Sequence, residues 1–360
     1  MKYSSSQTAD LIANSAWKNT YWFSRMLING DKYGAVGTSK ESQIIDLANK
    51  LELILAQHQL TEAEKLSICK KAVFISLASL FKKTVKGYSL AMALYQDLEQ
   101  RLNSLDDVAI FIISVRYVVV PINAAMRHVP SNDREFCHST ATSILDTLGE
   151  KNVARVLATW DDLGVAGCLD VERSLVVSEF TKLRANLQTL DLARTEIEDN
   201  MLLTAFVQEF ERRLGQKRKG RAGTSLEDVA TFLFDYYGFS SHPKPDHFQT
   251  DIEVDKWFKC ADGWSIGISC KRTLRERWKQ VSSADSNALS RYKIKEIWHL
   301  TTYDKDLSDE KLTMLGQQRQ VFYLADDSER YKTASAHIGM KDYVRPLSQL
   351  ISDIRKEQRR

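Results

Sequence analysis

The sequence has little cysteine and little net charge, and both shortages narrow the class of protein. Its five cysteines are odd in number and show no paired metal-ligand spacing, which predicts reduced thiols in a cytoplasm; they are Cys69, Cys137, Cys168, Cys260 and Cys270. The net charge is only +3, so a case for nucleic-acid binding depends on local clusters of basic residues. With 43% hydrophobic and 27% charged residues, the 360-residue chain is typical of a globular protein of two domains.

Long apolar runs are also missing from this sequence. The stretch from Val108 to Val120 is apolar, but it contains Arg116 and stops at Pro121, so it is too short for a membrane span of about twenty residues. The stretch from Val108 to Val120 instead predicts a core helix followed by a strand. The first six residues lack the apolar segment of a signal peptide. We therefore expect no membrane association and a cytoplasmic location.

Residues 269–280 combine two features that point to chemistry on DNA. They read Ser-Cys-Lys-Arg-Thr-Leu-Arg-Glu-Arg-Trp-Lys-Gln, and Lys271 is of a residue type suited to phosphodiester chemistry. Arg275-Glu276-Arg277 follows four residues later. Its guanidinium groups match the O6 and N7 acceptors of guanine, and its carboxylate can accept from the N4 amine of cytosine.

The same basic run, which extends to Lys279, has a simpler interpretation as a solvated face or a nonspecific phosphate-binding patch. The residues before it favour the functional interpretation. Residues 264–270 alternate and are rich in strand formers, so Lys271 is expected at the end of a strand with the triplet just beyond it.

The chain upstream supplies acids. Residues 250–258 alternate so that three carboxylates would share one face of a strand: Asp251, Glu253 and Asp255. Asp262-Gly263 predicts a tight hairpin turn, which brings Lys271 opposite roughly residue 252 and close to Asp251. A carboxylate and a lysine that meet at one strand end, beside DNA, predict a Mg²⁺ site. An edge strand with outward-facing charges is the alternative.

A third element precedes the acidic strand. The basic run from Arg218 to Arg221 is suited to binding DNA phosphates. Beyond it, an apolar stripe at helical spacing ends at Gly238, and Thr224 or Ser225 is suited to cap that helix. Glu227 would then lie in the first turn, where it either complements the helix dipole or points inward and completes the metal site.

These three pieces, in this order, resemble the PD-(D/E)xK restriction endonucleases of the EcoRII C-terminal, PspGI and SsoII group over roughly residues 215–330. The resemblance implies an α/β (α+β) restriction-endonuclease-like core, with a mixed central sheet flanked by helices. It implies a Mg²⁺-dependent type II endonuclease that cuts double-stranded DNA at CC:GG half-sites, as in CCGG, CCNGG or a similar sequence. A homodimer or higher homo-oligomer is the expected unit, because a two-fold axis matches a palindromic duplex.

The resemblance also implies roles for individual residues. Lys271 resembles the catalytic lysine, and the DNA-binding residues would be Arg275, Glu276 and Arg277 as base readers, with Lys279 and Arg221 beside them. Asp251 resembles the first metal-binding acid, although Glu253 and Asp255 compete for that assignment.

The second carboxylate stays open between two residues. Ser269 stands where many of these nucleases carry an acid two residues before the lysine. The family pattern supplies a displaced carboxylate about thirteen or fourteen residues after the lysine, where this chain has Ala284 and Asp285. Asp285 is slightly preferred, and Glu227 is the other candidate for this catalytic and metal-binding role.

The sequence predicts two domains. Residues 1–200 suit a mainly helical N-terminal domain, and residues 201–360 would form the catalytic and DNA-recognition domain. In the second domain, strands predicted at 294–300 and 321–324 alternate with helices predicted at 281–291, 308–315 and 346–356. A catalytically inactive, sequence-specific DNA-binding protein with a nuclease-like core is the alternative function, which Ser269 and Ala284 keep open.

Overall fold

The structure of the protein is a computed structural model that describes residues 5–28, 30–34, 40–81, 84–190, 192–248, 253–274 and 286–359. It contains two compact units. Unit 1 comprises Met1–Val129 and Asp170–Lys217, and unit 2 comprises Pro130–Leu169 and Arg218–Arg360. The sequence predicts a single division after residue 200 instead. The division differs because an early segment belongs to unit 2, where Cys137, Leu145 and Trp160 are buried in the same apolar core as the sheet.

Unit 1 contains helices and no strand within its described residues. The helices that lie wholly in it are α1 (Ser5–Asn14), α2 (Asn19–Ile28), α3 (Gly30–Tyr33), α4 (Glu41–Leu55), α5 (Glu62–Leu80), α6 (Val85–Glu99), α7 (Leu105–Ser114) and α8 (Val120–His128). Capping boxes begin α5 at Thr61 and α7 at Ser104. The inward faces of the helices share one core that includes Phe23, Leu47 and Phe111. The predicted helical N-terminal region is confirmed.

The most apolar stretch of the chain is helical from α7 through a π-helical turn at Val115–Val119 into α8. The predicted strand after the core helix is wrong, because the chain stays helical through Pro121, which lies just beyond the π-helical turn. The span Leu105–His128 is long and apolar enough to cross a membrane by length and composition alone. However, 67% of its most apolar 18-residue segment is buried inside the protein, as in an ordinary core helix.

Two long helices, α10 (Val153–Thr189) and α11 (Glu196–Tyr236), follow α9 (Arg134–Leu148) and contribute residues to both units. α11 runs without interruption through Gly220 and Gly223. The predicted helix start at Thr224 or Ser225 is therefore wrong. The Thr224 hydroxyl donates to the Arg221 carbonyl (3.1 Å) in the preceding turn, so it satisfies a group within the helix instead of capping a new one.

Unit 2 is built on a mixed sheet. Its described strands are β1 (Lys256–Lys259), β2 (Ser265–Cys270), β3 (Ile294–Leu300), β4 (Gln320–Leu324) and β5 (Val344–Pro346), in that spatial order. β1 and β2 are antiparallel, and β2 to β5 are parallel. The predicted Asp262-Gly263 turn is confirmed: Gly263 has a φ of 81°, and Asp262 Oδ1 accepts from the Trp264 amide (3.0 Å).

Helices cover the sheet of unit 2. Beyond β2, they are α12 (Ser286–Arg291), α13 (Asp309–Gly316), α14 (Glu329–Ala336) and α15 (Leu350–Arg359). One face of the sheet, with Ile268, Trp298 and Tyr323, belongs to the largest apolar core of this unit, which also contains residues of α9, α10, α11 and α15. A mixed α/β unit with a helix-flanked sheet is thus confirmed. The predicted helix at 281–291 is described only from residue 286 onward.

The continuity of α11 predicts a gain in stability from alanine at Gly220 or Gly223. A Cβ atom at either position would meet no neighbouring atom within 4 Å, so each change should raise the free energy of unfolding by about 0.5–1 kcal/mol, as measured by urea denaturation. Gly164 in α10 is the matched control, because its Cβ would lie 2.5 Å from Asp133 and alanine there should destabilise. A loss of stability at Gly220 and Gly223 would contradict the continuous helix.

Candidate active site

The β1–β2 hairpin ends where the acids meet the lysine. Lys256 pairs with Ile268, and continuing that register places residue 253 across from residue 271. The sequence predicts a strand from residue 250. Among the described residues, β1 begins only at Lys256, and residues 253–255 are not part of it. Two further hydrogen bonds attach Asp255 to β2: its amide donates to the Ile268 carbonyl (2.9 Å), and its Oδ2 accepts from the Cys270 amide (2.6 Å).

The Lys271 ammonium lies among three carboxylates, two from the segment before β1 and one from α11. Its Nζ is 3.2 Å from Glu253 Oε2, 3.4 Å from Asp255 Oδ1 and 3.8 Å from Glu227 Oε1. Lys271 is only 8% exposed, and the Asp255 side chain is also largely buried. Glu227 is partly exposed, whereas the Glu253 side chain is 64% exposed. We call these four residues the Lys271 cluster.

Asp255 is the carboxylate that the fold holds most firmly. Burial raises the pKa of Asp255, and the Cys270 amide and the Lys271 ammonium oppose that rise because both favour the ionised form. A side chain that receives a backbone N–H bond and borders an ammonium is fixed in one orientation. The sequence favours Asp251 for the first acid, but Asp251 lies outside the described residues, and its competitors Glu253 and Asp255 are the acids found beside Lys271.

Glu227 comes from the interior of α11 and not from a first helical turn, but it still faces the lysine. Burial raises the pKa of Glu227, and the negative charge of Asp255 adds to that rise, while Lys271 opposes it. This second carboxylate was one of two sequence candidates. The other, Asp285, lies outside the described residues.

Lys271 balances only part of the negative charge around it. Burial acts to lower the pKa of Lys271, but the combined attraction of Asp255, Glu253 and Glu227 raises it above its ordinary value. The ammonium therefore remains charged at physiological pH. When all three acids are ionised, the cluster carries an excess of negative charge that favours a cation.

The donor set of the cluster suits a hard divalent cation such as Mg²⁺, which prefers carboxylate oxygens. In the part of the chain that the structure describes, no group of three or more His, Cys, Asp or Glu side chains has the spacing of a formed metal site. The three acids of the cluster instead lie around the Lys271 nitrogen. The oxygen donors of the three acids are of the type that such a cation prefers.

Arg221, predicted to bind DNA, is buried in unit 2 and is 7% exposed. Its Nε lies 3.3 Å from Asp133 Oδ1, and its Nη1 donates to the Pro130 carbonyl (3.4 Å). A guanidinium enclosed by these groups stabilises the packing of α11 and does not face DNA, so this prediction is corrected. The remaining DNA-binding candidates, Arg275, Glu276, Arg277 and Lys279, lie outside the described residues.

Sequence reasoning missed one pair beside the cluster. Arg272 Nη2 donates to Asp161 Oδ1 from α10, and both residues line a cavity of about 580 Å³ with Trp160, Tyr303 and Leu347. The two partners are 111 residues apart, and no local pattern marks Asp161 as a partner of Arg272. A second residue that it missed is His299, which is buried and bonded to Gln320 (2.8 Å); burial lowers the pKa of His299 to about 4, so the ring is neutral.

We compared the chain with protein-family models, with curated proteins and with solved structures. None of the three comparisons gives a match.

The charge balance predicts that replacing Lys271 by methionine makes stability fall as the pH rises. Without the ammonium, the pKa values of Asp255 and Glu227 in the folded protein should rise further. The folded state then binds more protons than the unfolded state above about pH 4.5, and stability is lost as these protons leave. Denaturant unfolding from pH 5 to pH 8 measures this slope.

The control for this experiment is Lys332→Met, because Lys332 pairs with a single exposed acid, Glu329 (2.8 Å). Its stability should follow that of the wild type across the pH range. Parallel stability profiles for the two variants would contradict the proposed charge balance.

Proposed function

We propose that this protein is a Mg²⁺-dependent type II restriction endonuclease that hydrolyses double-stranded DNA at a palindromic site with CC:GG half-sites, such as CCGG or CCNGG. The observation that carries the proposal is the Lys271 cluster, in which a buried ammonium meets Asp255, Glu253 and Glu227 at the end of an antiparallel hairpin. Carboxylates that can hold a metal ion and a lysine that can offset charge on the phosphate are groups suited to phosphodiester hydrolysis.

In this proposal, each residue of the cluster has a task. Asp255, oriented by the Cys270 amide, and the facing Glu253 and Glu227 carboxylates would hold Mg²⁺. The chemistry that Mg²⁺ supplies when bound is polarisation of the phosphoryl group and neutralisation of its charge. Lys271, charged at neutral pH, orients the attacking water and offsets the negative charge that builds on the pentavalent phosphate.

We assign sequence recognition to Arg275-Glu276-Arg277, because guanidinium groups match guanine and a carboxylate can accept from cytosine. Lys279 would contact the phosphate backbone. Leu274, the residue just before the triplet, is fully buried in an apolar cluster with Leu312, Phe322 and Leu324. That burial anchors the last described residue before the triplet, three positions after Lys271. Two copies of the chain, one for each DNA strand, would form the cleaving unit.

The competing function is a DNA-binding protein that does not cut. The observation that favours it is Ser269, which is buried and places a hydroxyl where a carboxylate is expected two residues before the lysine. The two functions differ in one result, because both predict a complex with DNA and only the nuclease predicts fragments.

Digestion of a DNA of known sequence that contains CCGG and CCNGG sites, in Mg²⁺, tests the proposal. The wild type should give discrete fragments whose ends map to these sites, and Lys271→Met should cut at least about 100-fold more slowly. Binding to the same DNA in Ca²⁺, measured by gel retardation, should change little. Lys259→Ala is the matched control, because Lys259 lies in the same hairpin and its ammonium contacts the Gly263 carbonyl and not the cluster.

Two results would overturn the assignment. Cleavage by Lys271→Met at the wild-type rate would exclude the proposed role of this lysine. A retarded but intact DNA with the wild-type protein would favour the non-cutting DNA-binding protein.

A further inference from the structure

Ser269 is a buried polar residue beside the Lys271 cluster. It lies in the interior of β2 and is 1% exposed. Because side chains alternate along a strand, Ser269 and Lys271 point to the same side of the sheet. A hydroxyl buried at this position needs a hydrogen-bond partner, and that partner shows what the serine does.

The partner is the backbone of the acidic segment. Ser269 Oγ donates to the Glu253 carbonyl (3.0 Å), across the hairpin and 16 residues away in sequence. The last pair of the β1–β2 ladder is Lys256 with Ile268, so this hydrogen bond joins the two sides of the hairpin beyond the ladder. Together with the two bonds of Asp255 to β2, it ties the whole segment Glu253–Asp255 to the strand that carries the lysine.

We infer that Ser269 is a positioning residue, which holds the Glu253–Asp255 segment so that its two carboxylates meet the Lys271 ammonium. This inference deepens the proposed endonuclease function and rests on it for the identity of the reaction. Ser269 itself does not ligate the cation. Ser269, which stands in place of the expected acid, therefore attaches the acidic segment on the other side of the hairpin to β2.

A carboxylate could not perform this task. An ionised aspartate has acceptors and no donor, so it cannot bond to the Glu253 carbonyl. It would also place a further negative charge in a buried position next to Asp255, whose pKa is already raised by burial. On the far side of Ser269, the strand register pairs it with His299, which is neutral and offers no compensating positive charge.

The test compares three variants of the full-length protein. Ser269→Ala removes the hydroxyl, Ser269→Thr retains it, and Ser269→Asp introduces the acid. The first readout is Ca²⁺ affinity by titration calorimetry. Loss of one hydrogen bond of ordinary net strength should weaken binding about fivefold in Ser269→Ala, with binding near the wild-type value in Ser269→Thr and no gain in Ser269→Asp.

The second readout does not depend on a cation. Release of Glu253 from the lysine should lower the pKa of Lys271, so in Ser269→Ala its amine should react at least about twofold faster with an acylating reagent at pH 9, as followed by mass spectrometry. Ser269→Thr should react as the wild type does. Ser265→Ala is the matched control, since Ser265 is a buried serine of the same strand and the same face, and it should change neither readout.

The outcomes separate this inference from the proposed function. Unchanged Lys271 reactivity in Ser269→Ala, or tighter Ca²⁺ binding by Ser269→Asp, would overturn the positioning role. Wild-type protein that cuts no DNA, combined with the expected change in Lys271 reactivity, would contradict the nuclease and leave the positioning role standing.

Discussion

A single buried ammonium organises the part of this protein that carries chemistry. Lys271 is almost fully enclosed, and burial alone would disfavour its charge. The charge persists because carboxylates from the facing chain and from α11 surround it. Removing one partner of a buried ion pair typically costs about 3–5 kcal/mol, and in this cluster that applies to Lys271 and Asp255, the two buried members. The hairpin, the long helix and the cluster therefore depend on one another.

The same arrangement supports the proposed cation site. Among the described residues, the Lys271 ammonium is shared by three carboxylates, and burial raises the pKa values of Asp255 and Glu227, so a divalent ion would relieve the repulsion among these acids. Polar backbone groups limit how the acids can respond. The Cys270 amide and the Ser269 hydroxyl fix the acidic segment, which keeps the carboxylates together despite their mutual repulsion.

The hairpin could be predicted from sequence because its signals are local. Asp262-Gly263 determines the turn, and alternation along residues 264–270 determines the strand, so the meeting of acids and lysine followed directly. The sequence alone did not determine which of Asp251, Glu253 and Asp255 lies beside Lys271. A register shift of one residue decides which carboxylate faces Lys271, and the turn pattern gave residue 252 where the structure places residue 253 opposite.

Long-range contacts account for the other differences. Thr224 and Ser225, as capping residues, indicated a helix start, but α11 continues through them, and Arg221 in this helix contacts Asp133, 88 residues away in sequence. The same pairing removed Arg221 from the DNA-binding candidates. The early segment Pro130–Leu169 joined unit 2 for a similar reason, since its apolar residues complete a core whose other members lie beyond residue 218.

The most direct test of the central claim is an anomalous scattering measurement on crystals of the protein soaked in Mn²⁺, a cation with similar ligand preferences to Mg²⁺. The account predicts one strong anomalous peak at coordination distance from a carboxylate oxygen of Asp255, with the Lys271 ammonium in the same cluster. Crystals that show no peak beside Asp255 at saturating Mn²⁺, or a Lys271 side chain directed away from Asp255, would contradict it.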